Sequence, residues 1–187
     1  MIPVSGVVLA GGRSSRFGRD KALELWRGKT LLEHARDSLE DCAERFVIGG
    51  TSERYGFAGV PVYPDLEPFQ GSLYGLARAL EIAPSDRVAV MACDMPRLSS
   101  EFWNFMANLE PAQVVIPENA DGFLEPLAAI YDRSCLPTIQ IALEAKQLRM
   151  TGWHANLKVR IISWTELEPR FGARLFRNVN TQADLEP

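Results

Sequence analysis

Short apolar runs and longer amphipathic stretches take turns along the first part of the chain. Val4 to Ala10 reads as a strand. Leu23-Glu24-Leu25 reads as a short second one, followed by a turn at Arg27-Gly28. Thr30-Leu31-Leu32-Glu33 has the form of a capping box, and Leu31, Ala35, Leu39 and Cys42 recur from it at helical spacing. Phe46-Val47-Ile48 is the next strand and stops at Gly49-Gly50, and Val60 to Tyr63 is another. Gly71 to Ala83 predicts a helix through Leu73, Leu76, Ala77 and Leu80. Val88 to Ala92 is apolar at every position, as expected of a strand covered on both faces. Ser99 or Ser100 caps a following helix that carries Phe102, Phe105 and Met106, and Gln113 to Ile116 is strand-like again.

The second part is less regular. Pro126 to Tyr131 predicts a strand, and Ser134 to Leu148 a helix with Pro137 in its first turn. Lys158 to Trp164 reads as a late strand, and Thr181 as the cap of a final short helix. The alternation predicts an α/β fold, a mostly parallel sheet with helices on both faces. No repeat, low-complexity tract or linker divides the 187 residues, so one domain with its own sizeable core is expected.

Charge narrows the picture. The formal net charge is -4, which argues against a general nucleic-acid binder. Cys42, Cys93 and Cys135 lie far apart with no CxxC spacing and read as small apolar core residues of a reduced, cytoplasmic protein. With His34 and His154 as the only histidines, a His-based metal cluster is not expected. No apolar run approaches the ~20 residues that span a bilayer, so no membrane partner is expected.

The candidate chemistry starts where the first strand ends. Val7-Val8-Leu9-Ala10 runs into Gly11-Gly12, after which Arg13, Arg16, Arg19 and Lys21 follow closely. Glycines let the backbone approach an anion and turn its N–H groups toward it, and the cations add charge-assisted hydrogen bonds. The stretch thus reads as a phosphate cradle in an otherwise acidic protein. It is neither GxxxxGK[ST] nor GxGxxG, which disfavours a P-loop NTPase and a dinucleotide-binding dehydrogenase.

Met91-Ala92-Cys93-Asp94-Met95-Pro96 is a second feature: an apolar strand that ends at a carboxylate. If its strand runs parallel to the first, Asp94 and Gly11 share the sheet edge where ligands of such folds bind. Asp94 reads equally as a Mg²⁺ ligand beside a phosphate or as a turn aspartate. Asp65, Gly71-Ser72-Leu73-Tyr74-Gly75, Glu125-Pro126-Leu127 and Asn178-Val179-Asn180-Thr181 read, on their own, as turns, helix starts and caps.

Together these pieces resemble the molybdenum cofactor guanylyltransferases. The resemblance rests on Leu9-Ala10-Gly11-Gly12 with Ser14, Arg16, Gly18, Asp20 and Lys21, and on Gly71, Leu73 and Gly75. It continues through Cys93-Asp94-Met95-Pro96, Glu125-Pro126-Leu127 leading to Tyr131, and Asn178-Val179-Asn180-Thr181, in the family's order and over nearly the whole chain. The first and third groups are specific in combination. Three positions depart from the family's habit: Ser72 replaces a proline, Gln182 stands where a proline is frequent, and Gly49 where a polar residue is.

The resemblance implies a three-layer, Rossmann-like nucleotidyltransferase fold over residues 1–187, its N-terminal part binding the nucleotide and its C-terminal part facing a pterin. It implies transfer of GMP from GTP to molybdenum-molybdopterin with release of pyrophosphate, by Mg²⁺-dependent in-line attack of the pterin phosphate on the α-phosphate. By position, Leu9, Ala10, Gly11 and Gly12 would contact the guanosine, with Asp65 and Gly71 completing the nucleotide pocket. Arg16 and Lys21 would bind the triphosphate, Asp94 would hold Mg²⁺, and Asn178 and Asn180 would face the pterin. Arg16, Lys21 and Asp94 are the implied catalytic residues. GTP and molybdenum-molybdopterin are the implied small partners, and other proteins of cofactor synthesis and recipient molybdoenzymes the implied protein partners, with a monomer expected. Two alternatives stay open: a transferase using CTP on the same pterin or an NTP on a sugar phosphate, and a nucleotide-binding module without turnover. Gly11-Gly12 favours the guanylyl branch, because cytidylyl relatives usually carry Ala-Gly there.

Overall fold

The apolar run at the start of the chain lies deep inside a sheet. In the computed structural model, which describes residues 1–10, 20–65, 71–179 and 184, the strands are β1 (Ile2–Leu9), β2 (Leu25–Trp26), β3 (Lys29–Thr30), β4 (Cys42–Ile48), β5 (Val62–Tyr63), β6 (Arg87–Ala92), β7 (Val114–Pro117), β8 (Ala128–Asp132) and β9 (Val159–Ile162). The helices are α1 (Leu31–Ser38), α2 (Ser52–Tyr55), α3 (Ser72–Ile82), α4 (Ser100–Ala107), α5 (Leu136–Glu144) and α6 (Trp164–Phe171). Seven strands form one sheet in the order β5-β4-β1-β6-β8-β7-β9, and β2 and β3 make a separate hairpin. Within the large sheet only the pairings of β8 are antiparallel. The mostly parallel α/β architecture is the one expected.

Strand periodicity sorts the core into two layers. Val4, Val8, Val47, Ala89, Met91, Val115 and Ile130 point to one face, where they meet Leu32, Ala35 and Leu39 around α1 and Phe102, Trp103 and Met106 of α4. Val7, Leu9, Phe46, Ile48, Val88, Val90, Val114, Ile116 and Tyr131 point to the other, against Leu73, Leu76 and Leu80 of α3 and Ile139 of α5. Side chains alternate across each strand, so a strand buried on both faces has to be apolar at nearly every position.

Local signals explain the helix starts. Thr30 accepts from Glu33 N–H while the Glu33 carboxylate accepts from Thr30 N–H, completing the capping box of α1. Ser99 rather than Ser100 caps α4, accepting from Phe102 N–H. Several boundaries differ from the sequence expectation. Leu23 belongs to a 3₁₀ turn at Lys21–Leu23, and the short strand begins at Leu25 instead. Cys42 keeps the helical spacing but opens β4, because Leu39 caps α1 and Ile2 N–H draws the Asp41 carbonyl to the sheet. The helix after Pro137 stops at Glu144, and α2 and α6 were not expected at all. Trp164, assigned to a strand, is the first residue of α6, which accommodates Pro169 inside it. The expected cap at Thr181 lies outside the described residues.

All three cysteines are buried and unpaired, and burial pushes each thiol up to about 12, so they remain neutral core groups. Among the described residues no helix is long and apolar enough to cross a membrane.

Candidate active site

Because β1, β4, β5 and β6 run parallel, their C-terminal ends share one edge of the sheet. Ala10 follows β1, Gly49 follows β4, Asp65 follows β5, and Asp94 follows β6. Leu127 joins them at the entrance to β8, its carbonyl accepting from Ala92 N–H at 3.2 Å. This is the edge at which open α/β sheets bind ligands.

The centre of the edge is an ion pair. Lys21 Nζ lies 2.8 Å from Asp94 Oδ2, with the two side chains 14% and 24% exposed. Lys21 opens its 3₁₀ turn under an aspartate cap, the Asp20 Oδ1 accepting from Ala22 N–H at 3.1 Å. The second Asp20 oxygen accepts from the Tyr55 hydroxyl at 2.8 Å and pairs with Arg54 Nε at 2.6 Å. The same hydroxyl stands 3.3 Å from the Ala10 carbonyl. Tyr55 therefore holds together the end of β1 and the start of the Lys21 turn, the two flanks of residues 11–19. Its ring fills the space beside Gly50, where φ is +65° and an added Cβ would fall 2.3 Å from Tyr55 Cε2. Burial and the Asp20 carboxylate both raise the phenol above its ordinary range, so the hydroxyl stays protonated as a donor.

Asp94 makes contacts on both sides. Its Oδ1 is buried and has no hydrogen-bond partner among the described residues. Its backbone carbonyl accepts from Val179 N–H at 2.9 Å, which brings Asn178 beside it, and Asn178 Oδ1 is likewise buried without a partner. Glu125 belongs to the same neighbourhood. Burial raises its carboxyl above the usual range, Asn119 Nδ2 donating at 2.7 Å lowers it, and the negative charge of Asp94 raises it again.

The remaining expected residues fall around this centre. Leu9 is buried, and Ala10 N–H donates to the Ile48 carbonyl at 2.8 Å. Gly71 precedes α3 with φ +121° and no side-chain cap. The first turn of that helix packs on the end of β1, because a Cβ on Gly75 would sit 3.2 Å from Leu9 Cδ2. Asp65 is half-buried at the end of β5. The structure thus brings Leu9, Ala10, Lys21, Asp65, Gly71, Asp94 and Asn178 to one edge. Gly11, Gly12, Arg16 and Asn180 lie outside the described residues.

Among the described residues no group of three or more His, Cys, Asp or Glu side chains could cage a metal. Mg²⁺ does not require one, since it is commonly held by one or two carboxylates together with substrate phosphates. The orphaned Asp94 Oδ1 fits that chemistry. Tyr55 and Arg54 were not expected as supports of the site. They lie on a four-residue helix too short to carry a periodic signal.

The family model described as a MobA-like NTP transferase domain matches residues 6–157. The chain belongs to the MobA-like NTP transferase family. Membership makes it a nucleotidyltransferase. It is 36% identical over 192 residues to a Deinococcus radiodurans protein named probable molybdenum cofactor guanylyltransferase, covering 99% of this chain and 93% of that one. A protein of the same name from Carboxydothermus hydrogenoformans is 35% identical over 181 residues, covering 96% and 91%. The crystal structure of molybdopterin-guanine dinucleotide biosynthesis protein A from Archaeoglobus fulgidus superposes with a TM-score of 0.80 at 22% identity, over 98% of this chain and 95% of that one. At that identity the likeness speaks for the fold.

Proposed function

We propose that this nucleotidyltransferase moves GMP from GTP onto the phosphate of molybdenum-molybdopterin in the cytoplasm, giving molybdopterin guanine dinucleotide cofactor and pyrophosphate. The reading is carried by the Lys21–Asp94 pair, with its orphaned carboxylate oxygen, between β1 and the Asn178 segment. The names of the full-length relatives support the choice of GTP and of the pterin acceptor.

The chemistry asks little of protein nucleophiles. An oxygen of the acceptor phosphate forms the new bond to the α-phosphorus, and the bond from that phosphorus to the pyrophosphate oxygen breaks. Both reactants are already anionic, so catalysis rests on in-line positioning and charge neutralisation. Lys21 and Arg16 bind the triphosphate, Lys21 using an ammonium with three N–H donors. Leu9, Ala10, Gly11 and Gly12 flank the nucleoside, Asp65 and Gly71 close its pocket, and Asn178 and Asn180 face the pterin. Asp94 holds Mg²⁺, which when bound neutralises charge on the phosphates. Tyr55 positions Lys21 through Asp20.

The test is incubation of the protein with Mg²⁺, molybdenum-molybdopterin and each NTP in turn, followed by measurement of pyrophosphate and dinucleotide. GTP should give both products in equal amounts. Equal or greater transfer from CTP would move the chain to the cytidylyl branch, and no pyrophosphate from any NTP would refute the reading.

A further inference from the structure

Four arginines lie beside this edge, outside every ion pair among the described residues. Arg27 occupies the turn between β2 and β3, Arg97 follows Asp94 by three residues, and Arg174 and Arg177 lie just after α6. The Arg27 and Arg97 guanidinium carbons stand 4.5 and 5.3 Å from the centroid of one indole, that of Trp26. Trp26 is 6% exposed and packs with Leu31 and Val179, the residue whose N–H holds the Asp94 carbonyl. Arg177 donates its N–H to the Arg174 carbonyl three residues earlier in that same segment. Among the described residues none of the four has an ion-pair partner. Burial first, then the charges of Arg174, Arg27 and Arg177, depress the Arg97 guanidinium below its ordinary value, so Arg97 feels the other three cations.

The backbone adds an independent sign. Arg27 has φ +49°, followed by Gly28 at +83°, the two-residue turn that Asn-Gly ordinarily fills. An arginine there is strained, and strain of this kind persists where the residue has another use. Here it lays a guanidinium on the Trp26 ring. Planar guanidinium groups fixed on an aromatic platform are preorganised to take an oxyanion by paired hydrogen bonds.

The layer decides which oxyanion. Gly71 and α3 belong to the face of the sheet that carries Leu73 and Leu76, whereas Arg97 and the segment after α6 continue from Met95, Leu98, Leu175 and Phe176 in the opposite layer. Arg97 and the segment after α6 therefore lie on the layer opposite the α3 start assigned to the nucleotide. We propose that Arg27, Arg97, Arg174 and Arg177 form the anion site for the phosphate monoester of the acceptor. The proposal rests on the reading of the chain as a nucleotidyltransferase with a phosphate acceptor.

Steady-state transfer with Arg97→Ala and with the Arg27→Ala/Arg177→Ala double variant tests it. The acceptor KM should rise about 10-fold or more for each, on the scale of a lost charge-assisted hydrogen bond. The GTP KM should stay put, and Arg97→Lys should recover part of the loss. In wild type the acceptor KM should climb with ionic strength, and in the double variant that slope should flatten. An unchanged acceptor KM, or an equal rise in the GTP KM, overturns the assignment. A second arm needs no turnover: with the nucleotide site filled by a non-hydrolysable GTP analogue, calorimetric titration with inorganic phosphate should give a binding isotherm in wild type and none in Arg27→Ala/Arg97→Ala. Equal isotherms overturn the site. A wild type that binds phosphate through these arginines yet releases no pyrophosphate would refute the transferase reading and leave the anion site standing.

Discussion

Lys21 and Asp94 are 73 residues apart in the chain and 2.8 Å apart in space. One comes from the turn that follows β1, the other from the end of β6, and the pairing of those two strands makes them neighbours. An ion pair this well sheltered is not a surface ornament: removing one member leaves the other charge poorly solvated and unopposed.

Lys21→Ala should therefore weaken GTP binding or turnover by at least ~10-fold, the scale of one charge-assisted contact. Initial-rate kinetics at varied GTP would measure it. If kcat and the GTP KM are both unchanged, Lys21 is not part of the site.

Tyr55→Phe removes the hydroxyl that donates to Asp20 and leaves the ring against Gly50. The loss of one partly buried hydrogen bond should cost about 1 kcal/mol in urea unfolding. Because Asp20 caps the Lys21 turn, the GTP KM should rise while transfer at saturating GTP changes little. A fall in kcat with an unmoved KM would point to a role other than holding the two flanks.

Thr30→Ala breaks the capping box of α1 and should destabilise the protein by about 1 kcal/mol. Thr30→Ser keeps the hydroxyl and should recover most of that loss. Equal unfolding midpoints for Thr30→Ala and wild type would deny the cap its stabilising role.

The His154 imidazole is held below its ordinary value, by burial first, against a weaker opposing contribution from the Met150 backbone. Its Nε2 is buried without a partner. A depressed folded value means that the unfolded chain takes up more protons as pH falls through the unfolded value of about 6.5, so native stability drops there. Melting temperatures between about pH 7 and pH 5 should fall more steeply for wild type than for His154→Gln. Parallel slopes would mean that His154 carries none of the dependence.

Much of the fold could be read from the chain because its strands are buried on both faces. Val88 to Ala92 and Val4 to Ala10 are apolar at nearly every position, and Thr30 with Glu33 announces α1. Cys42 misled because its spacing continues the helical stripe, while the turn that ends α1 depends on the sheet pairing of Ile2. The helix at Trp164–Phe171 was hidden by Pro169, whose missing N–H ordinarily ends a helix. The site was legible as separate motifs. Asp94 alone read as a turn residue as readily as a ligand, and what distinguishes it is contact with Lys21 and with the Asn178 segment, which no local pattern carries. Tyr55, Arg54 and the two arginines over Trp26 gave no motif, since their proximity arises from tertiary packing.

The most direct test of the proposed centre is Asp94→Asn in the GTP-to-molybdopterin transfer assay, with a melting curve of the same sample. An amide keeps the shape of the side chain but not its charge, and single electrostatic contributors of this kind are worth ~10²–10³ in rate. The expected result is a loss of at least that size in pyrophosphate and dinucleotide formation with a cooperative unfolding transition retained. Near wild-type transfer by the folded variant would contradict the assignment of Asp94 as the carboxylate at which metal and phosphates meet.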